Sequence, residues 1–562
     1  MESADCHQPQ IVKVLDPRLC VNRSRDYVSQ VGPKDSTYQV ITASSSTSLS
    51  NISFSEQLSE QFFLSRKMAV RYSVQIVGTG SSAPLVYPTD IAPAAFPLQR
   101  CANSCNLSLN GTSFDLVPNI TLPAMQRCID GGDLAKHMSA CPVQPDPYRY
   151  ALKANHGANI GPFATMGAGG KSDAHPESRG AMRLTSQSNA TNTSTIVMEF
   201  TEPLIISPLE YGDDEFAFSG VQTLRLNINT SNVERMFSYS NTSNTVSSVT
   251  VTLVSAPELL VTVMTPQEIA MESSYLPQMT KFYPLHRVNS IPLALPASIA
   301  DAAESTVSNS LRISSVPSRV FVYMMKDPSL SDITEADVFL RIKSVSIQYG
   351  NTSGLLSQAT PQQLYEISVK NGYKGTWNDW YTYSGSVLIL DPAQDLGLDI
   401  NSGLASGVMS PMNFYCKVTY ENQLGSLQYL GASSYALTNA KLYITYVESG
   451  YLAVDDTKFT QYVGGLTQSE VLGAPMVDSA HGQLNQPNTR MYGGGLFSKL
   501  KSAFNFVKDK VLPVVRAVAP TIAPLVAQYS PGAAAALTTA ASIGGVRGGR
   551  LSREEVLKLY RR

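Results

Sequence analysis

The residues of this 562-residue chain most able to do chemistry are its six histidines, its seven cysteines and one acidic run, and their spacing argues against catalysis. His7, His137, His156, His175, His286 and His481 stand far apart, with no pair at ligand spacing. No nucleophile elbow, phosphate loop or HExxH is present. Cys6, Cys20, Cys101, Cys105, Cys128, Cys141 and Cys416 are too sparse for a disulfide scaffold, and the spacing from Cys101 to Cys105 matches no common zinc arrangement. They read as free thiols of a protein assembled inside a cell, with room for one or two pairs among the four between 101 and 141. Glu210-Tyr211-Gly212-Asp213-Asp214-Glu215 has two readings, a divalent-cation ligand cluster or an exposed acidic turn. The expectation is no catalytic residue, no cofactor and no metal.

A different kind of chemistry is done on a chain rather than by it. Met491-Tyr492-Gly493-Gly494-Gly495 cannot sit comfortably inside a helix or strand, because each glycine loses maximal backbone entropy and packs no side chain. An exposed junction of this kind is where proteases cut. Charge changes sign across it. Residues 495–562 carry eleven Lys or Arg against Asp509, Glu554 and Glu555, a net of +8, which leaves −10 on the rest of a chain whose total is −2. An acidic body with a basic tail points to a tail that meets a nucleic acid, an anionic lipid surface or an acidic patch, or to a solvated basic helix.

Within the tail, Phe497, Leu500, Phe504, Val507 and Val511 fall on one face at helical spacing, flanked by Lys499, Lys501, Lys508 and Lys510. A basic amphipathic helix of this form lies in a membrane interface, fills a partner's groove, or docks on the body. Pro513 stops it. Residues 517–546 lack charge, yet Pro520, Pro524 and Pro531 rule out a simple spanning helix. Elsewhere no apolar run reaches membrane-span length. The N-terminus shows no basic flank followed by an apolar run, so no secretory signal and no glycosylation are expected.

The elements before the junction are mostly strands. Residues 1–50 mix prolines with polar residues and read as an arm that needs a partner surface to become ordered. Val70, Tyr72, Val74 and Ile76 then alternate with polar residues, the pattern of a half-buried strand. Leu107 and Leu109 lead into Asn110-Gly111, a hairpin turn pair, with a second strand over Thr112 to Leu116. Residues 118–187, dense in Gly, Pro and charge, read as an elaborated loop. Strand signals resume at Ile196 to Phe200 and continue through Leu224, Val251 and Leu259 to about residue 265. Residues 266–310 hold several prolines and read as a connector with short strands. A second set runs through Val320, Ile342, Val345, Leu388, Phe414, Val418 and Ile444. Thr360-Pro361-Gln362-Gln363 predicts a helix with Thr360 as N-cap and Gln363 as its capping-box partner. Short strands at this density indicate an all-β chain of two consecutive jelly-roll sandwiches, 51–265 and 266–455, with a linker over 456–494 and a helical tail over 495–562.

Met491-Tyr492-Gly493-Gly494 before Gly495 resembles the consensus of adenovirus-type cysteine proteases, in which Met, Ile or Leu stands four positions before the cut and glycines fill the last two. Val546-Arg547-Gly548-Gly549 before Arg550 resembles it with Val in the first place, and marks a second possible cut. Glu202-Pro203-Leu204-Ile205-Ile206-Ser207-Pro208, Ser353-Gly354-Leu355-Leu356-Ser357 with Leu364-Tyr365, and Gly385-Ser386-Val387-Leu388-Ile389-Leu390-Asp391-Pro392 resemble segments of major capsid proteins from the polinton-like virus, adintovirus and virophage group. The resemblance covers roughly residues 50–455. It implies a double jelly roll, homotrimers serving as pseudo-hexameric capsomers of an icosahedral virion shell, contacts with neighbouring capsomers and a penton protein, and a tail released to act on membrane or internal virion components. Two other readings compete. A single-jelly-roll capsid protein would carry a basic N-terminal arm, but Lys13, Arg18, Arg23, Arg25 and Lys34 are too dispersed to neutralise many phosphates. A carbohydrate-binding sandwich would need aromatic platforms, and Trp377 and Trp380 read as a packing pair.

Overall fold

The structure is a computed structural model; it describes residues 33–473 apart from short gaps and the longer stretches 129–140, 143–182, 205–216, 266–280 and 424–436. The glycine junction at Met491, Gly493, Gly494 and Gly495, the second site at Val546, Gly548, Gly549 and Arg550, the tail face at Phe497, Leu500, Phe504, Val507 and Val511, and the acidic run 210–215 lie outside the described residues.

The first sandwich uses ten main strands: β1 (Asp35–Thr42), β2 (Asn51–Gln57), β3 (Ala69–Gly80), β4 (Ala102–Leu109), β5 (Thr112–Leu116), β6 (Arg183–Asn189), β7 (Thr193–Pro203), β8 (Thr223–Thr230), β9 (Val246–Leu253) and β10 (Glu258–Thr265). One antiparallel sheet is built on β3, which pairs with β7 on one side and with β9 and β10 on the other; β6 extends it beyond β7 and β1 beyond β10. The other sheet runs β2-β8-β4-β5. Period-two alternation sets which residues face between them: Val70, Tyr72, Val74 and Ile76 of β3 are buried, as are Leu224, Leu226 and Ile228 of β8. Asn110 (φ 49°) and Gly111 (φ 84°) turn β4 into β5, both at the positive φ that a tight hairpin of this type requires.

The second sandwich uses β11 (Lys281–Ala294), β12 (Arg319–Lys326), β13 (Arg341–Tyr349), β14 (Val387–Leu390), β15 (Met412–Glu421), β16 (Ala440–Asp455) and β17 (Lys458–Val463). Its larger sheet runs β11-β16-β12-β14 with β17 on β16, and its second sheet is centred on the β13–β15 pair. β14 is buried on both faces, so its Val-Leu-Ile-Leu run does not alternate. A single cluster of buried apolar side chains runs through both sandwiches.

Several stretches differ from the sequence reading. Pro118–Met125 and Arg183–Asn189, at the two ends of the expected loop, are a helix and a strand, and Lys458–Val463, within the expected linker, is a strand on β16. Asp35–Thr42, within the expected arm, is a strand paired residue for residue with Glu258–Thr265. Lys281–Ala294, within the expected proline-rich connector, is a continuous strand of 14 residues along β16. Pro284 and Pro292 fit there because β11 pairs only with β16 among the described strands, and an edge strand needs no N–H on its outer side. Cys101, Cys105, Cys128, Cys141 and Cys416 are buried free thiols. Burial pushes Cys105, Cys128 and Cys416 up to about 12, which keeps them protonated and unreactive.

Candidate functional site

The residues that the fold brings together lie at the seam between the two sandwiches. α1 (Pro97–Cys101) starts at Phe96, a fully buried residue held in the left-handed region (φ 49°, ψ 63°). A bulky side chain there costs on the order of 1–3 kcal/mol, and the contacts at both ends of the helix offset it. At the start, the carboxylate of Glu202 on β7 accepts from Leu98 N (2.8 Å), Gln99 N (2.9 Å), Gln99 Nε2 (2.9 Å) and Tyr72 Oη (2.8 Å). Burial raises the Glu202 carboxyl from its ordinary value, and these four donors pull it back toward the charged form.

At the end of α1 the chain reaches across to the second sandwich. Arg100 Nη2 meets Asp337 Oδ2 at 2.5 Å, and Arg235 Nη2 donates to Asp337 Oδ1 at 2.8 Å while its Nη1 donates to Arg100 O at 3.0 Å. One carboxylate thus ties two buried guanidiniums of the first sandwich to the second. Further along, Tyr323 Oη donates to Ile120 O (3.0 Å), on α2 (Pro118–Met125), and Tyr239 N donates to Ile333 O (3.2 Å). Lys374 N donates to Arg127 O (2.9 Å), and the Arg127 guanidinium sits over the Phe339 ring. At the other edge, Thr112 Oγ1 donates to Phe459 O (2.8 Å) and Gln461 Nε2 to Ser113 O (2.6 Å), so the hairpin β4–β5 abuts β17. Polar groups at so many points fix both distance and angle between the sandwiches, which apolar contact alone leaves free to slide.

α3 (Pro361–Lys370) begins as the sequence reading has it: Gln363 N donates to Thr360 Oγ1 at 3.3 Å and Thr360 N to Gln363 Oε1 at 2.9 Å. It packs over β14, where Asn371 Nδ2 donates to Ile389 O. α4 (Trp377–Tyr381) stacks Trp377 on both Trp380 and Tyr381, at 6.0 and 4.7 Å, and Arg341 covers the outer face of Tyr381 at 4.4 Å. Trp377 and Trp380 thus pack against each other and their neighbours. Trp380 Nε1 donates to Val387 O and Ser386 Oγ to Trp380 O, which pins α4 to β14. Arg319 pairs with Asp391 at 2.7 Å. Among the described residues no three His, Cys, Asp or Glu are placed to hold a metal, and no helix is long and apolar enough to cross a membrane.

Two consecutive sandwiches joined by a buried polar seam define the double jelly-roll class. The family described as the Sputnik virophage major capsid protein first domain matches residues 8–272, and that described as the major capsid protein V20 C-terminal domain matches 291–450. The chain therefore belongs to the virophage-type major capsid proteins, which are structural and not catalytic. It is 25% identical to a putative capsid protein V20 of Sputnik virophage, over 89% of this chain and 88% of the relative. The fold is that of the Sputnik virophage structure (TM-score 0.74, 22% identity, 86% of this chain and 99% of that one) and of the mavirus major capsid protein (TM-score 0.68, 18% identity, 84% and 100%).

Of the segments that carry the resemblance, Glu202, Ser386 and Asp391 fall at the network positions just described. Arg100, Arg235 and Asp337 carry no local signature. Nothing in the residues beside them marks the partnership.

Proposed function

We propose that this virophage-type major capsid protein forms homotrimers that act as pseudo-hexameric capsomers in the icosahedral shell of a DNA virus, meeting neighbouring capsomers and a penton protein. The observation that carries the reading is the seam: Arg100, Arg235 and Asp337, with Tyr323 and Gln461, hold two sandwiches of one chain in a fixed pose. A rigid two-lobed subunit repeated about a three-fold axis presents six lobes, and closed symmetry then makes every interface identical. No reactive group takes part. Loss of function comes from loss of shape, so no single exposed side chain should abolish it.

An adenovirus-type cysteine protease then cuts after Gly494, with Met491 filling its apolar pocket and Gly493 and Gly494 lying extended in its groove. A second cut after Gly549 is slower or absent, because Val546 fills that pocket less well. Residues from 495 onward become a separate basic product that acts on a membrane or on internal virion components. The test is to size the purified chain by light scattering, add the protease, and measure mass again. A trimer that persists while each chain loses residues 495–562 supports the reading, and Met491→Asp should block the loss without changing the trimer. A monomer that resists cleavage at Gly494 sinks it.

A further inference from the structure

An apolar, acid-bearing patch lies uncovered where the described chain ends. β17 places the Tyr462 ring on Tyr451, 4.9 Å between centroids and 23° apart, with Tyr462 left 44% exposed. Beyond it, Leu466 N donates to Gly407 O (3.2 Å) and Met409 N to Leu466 O (2.8 Å), a short parallel bridge that sets Met409 beside Leu466. α5 (Gln468–Leu472) follows at once, started by Thr467, whose N and Oγ1 both donate to Glu470 Oε2 at 2.7 and 2.9 Å. Glu470 is near enough to Tyr451 to add to the upward push that burial gives that phenol. Met409 and Leu472 are 55% and 57% exposed, among the most exposed large apolar side chains described. Scattered apolar residues need no explanation, but Tyr462 on Tyr451, Met409 beside Leu466, and Leu472 on the helix that carries Glu470 make an apolar end to the described chain.

We propose that this patch is the docking site of the chain's own segment 497–511, with Phe497, Leu500, Phe504, Val507 and Val511 covering Met409, Leu466 and Leu472, and the flanking lysines facing Glu470. The proposal rests on the reading of the tail as an amphipathic helix released after Gly494. Three observations favour this occupant. The chain leaves the patch at Gly473, and the residues between there and Phe497 span at most about 80 Å when extended, far more than the patch requires. The charges are opposite, +8 on the tail against −10 on the body. Met409 and Leu472 stand more than half exposed among the described residues. Tethering also gives the cut a consequence. Before it, the segment is held at an effective concentration in the millimolar range; after it, only its own affinity holds it.

The described fold ends before residue 494, so a chain stopped at Gly494 keeps all of it. Hydrogen exchange by mass spectrometry is compared between the full chain and that shorter chain, and a labelled 495–512 peptide is titrated onto the shorter one at low and high salt. Docking requires amides 466–473 to exchange at least tenfold more slowly in the full chain. It also requires the peptide to bind, more weakly at high salt, and to lose at least tenfold in affinity to Met409→Asp with Leu472→Asp, variants of exposed side chains whose folding circular dichroism checks. Equal exchange in the two chains with no peptide binding overturns the proposal. So does protection that persists in the shorter chain and rises with its concentration, which would make the cover a second copy. A peptide that partitions onto phosphatidylserine vesicles and ignores the body overturns it in favour of a membrane role. Each of these outcomes leaves the trimer and the cut after Gly494 standing.

Discussion

Asp337 of the second sandwich accepts from Arg235 of the first at 2.8 Å, and the Arg235 side chain is 4% exposed. With Arg100 on the other oxygen, one carboxylate meets two guanidiniums in a place that water barely reaches. Replacing such a cluster with apolar residues is often neutral, but removing one partner strands the others, at about 3–5 kcal/mol. Asp337→Ala should therefore cost about that much in a denaturation experiment. In the Asp337→Ala background, Arg235→Met should cost at least about 1 kcal/mol less than in the parent chain, because the charge it removes is already unpaired. Additive losses would mean that the three side chains do not act together.

Glu202 supplies the second prediction. Its two carboxylate oxygens accept four hydrogen bonds, two of them from backbone N–H groups at the start of α1. Glu202→Gln keeps the size but sets an amide NH2 against one pair of those donors, and a buried donor left without an acceptor costs about 1–3 kcal/mol. Glu202→Leu removes every acceptor and should cost more. If both variants melt at the parent temperature, α1 is held by packing and not by the carboxylate.

The third concerns acid. His286 on β11 is buried with Nδ1 unbonded, and burial, helped by the nearby Arg66 charge, lowers it to about 4 from an ordinary 6.5. Between these values the folded chain binds fewer protons at this site than the unfolded one. Its contribution is therefore complete above about pH 6.5 and is lost as pH falls toward 4, by at most about 3.5 kcal/mol. Glu202, raised by burial, acts in the opposite sense, losing stability as pH rises through its titration, so the two must be separated by mutation. The difference in stability between the parent and His286→Leu should shift by about 2–3 kcal/mol between pH 7 and pH 4.5, in favour of the variant at the acid end. A constant difference would place His286 in contact with water.

The sequence displays what is local. Alternation at Val70, Tyr72, Val74 and Ile76 marks a strand buried on one face, Thr360 with Gln363 marks a helix start, and Asn110-Gly111 marks a turn, because each signal lies within a few residues of the element it makes. The Trp377–Trp380 pair packs as its spacing on one helical turn suggests. The seam is not local. Arg100 and Asp337 lie far apart in the sequence, and neither has a neighbour that betrays the other. Lys281–Ala294 is hidden for another reason: Pro284 and Pro292 argue against a strand unless the strand is known to be an edge, and edges are a property of the whole sheet. Strand 35–42 is hidden likewise, since its exposed residues become a strand only against Glu258–Thr265.

Two glycines separate lack of space from backbone conformation. Gly385 lies between α4 and β14 at φ 89°, and a Cβ built there would fall 1.8 Å from the Phe339 carbonyl oxygen, a backbone atom that cannot step aside. That carbonyl also accepts from Gln423 Nε2 at 2.7 Å, while Phe339 N donates to Ser384 O, so the segment is fixed from both sides. Gly111 has nearly the same φ, 84°, but a Cβ there meets nothing within 4 Å. Gly111→Ala should therefore cost only the backbone term, about 1–2 kcal/mol, and leave a soluble chain. Gly385→Ala adds a backbone clash to the same strain and should leave little soluble protein. The comparison is read from soluble yield and melting temperature of the two variants side by side; equal losses would show that φ alone decides, and that the 378–390 segment can move away from Phe339.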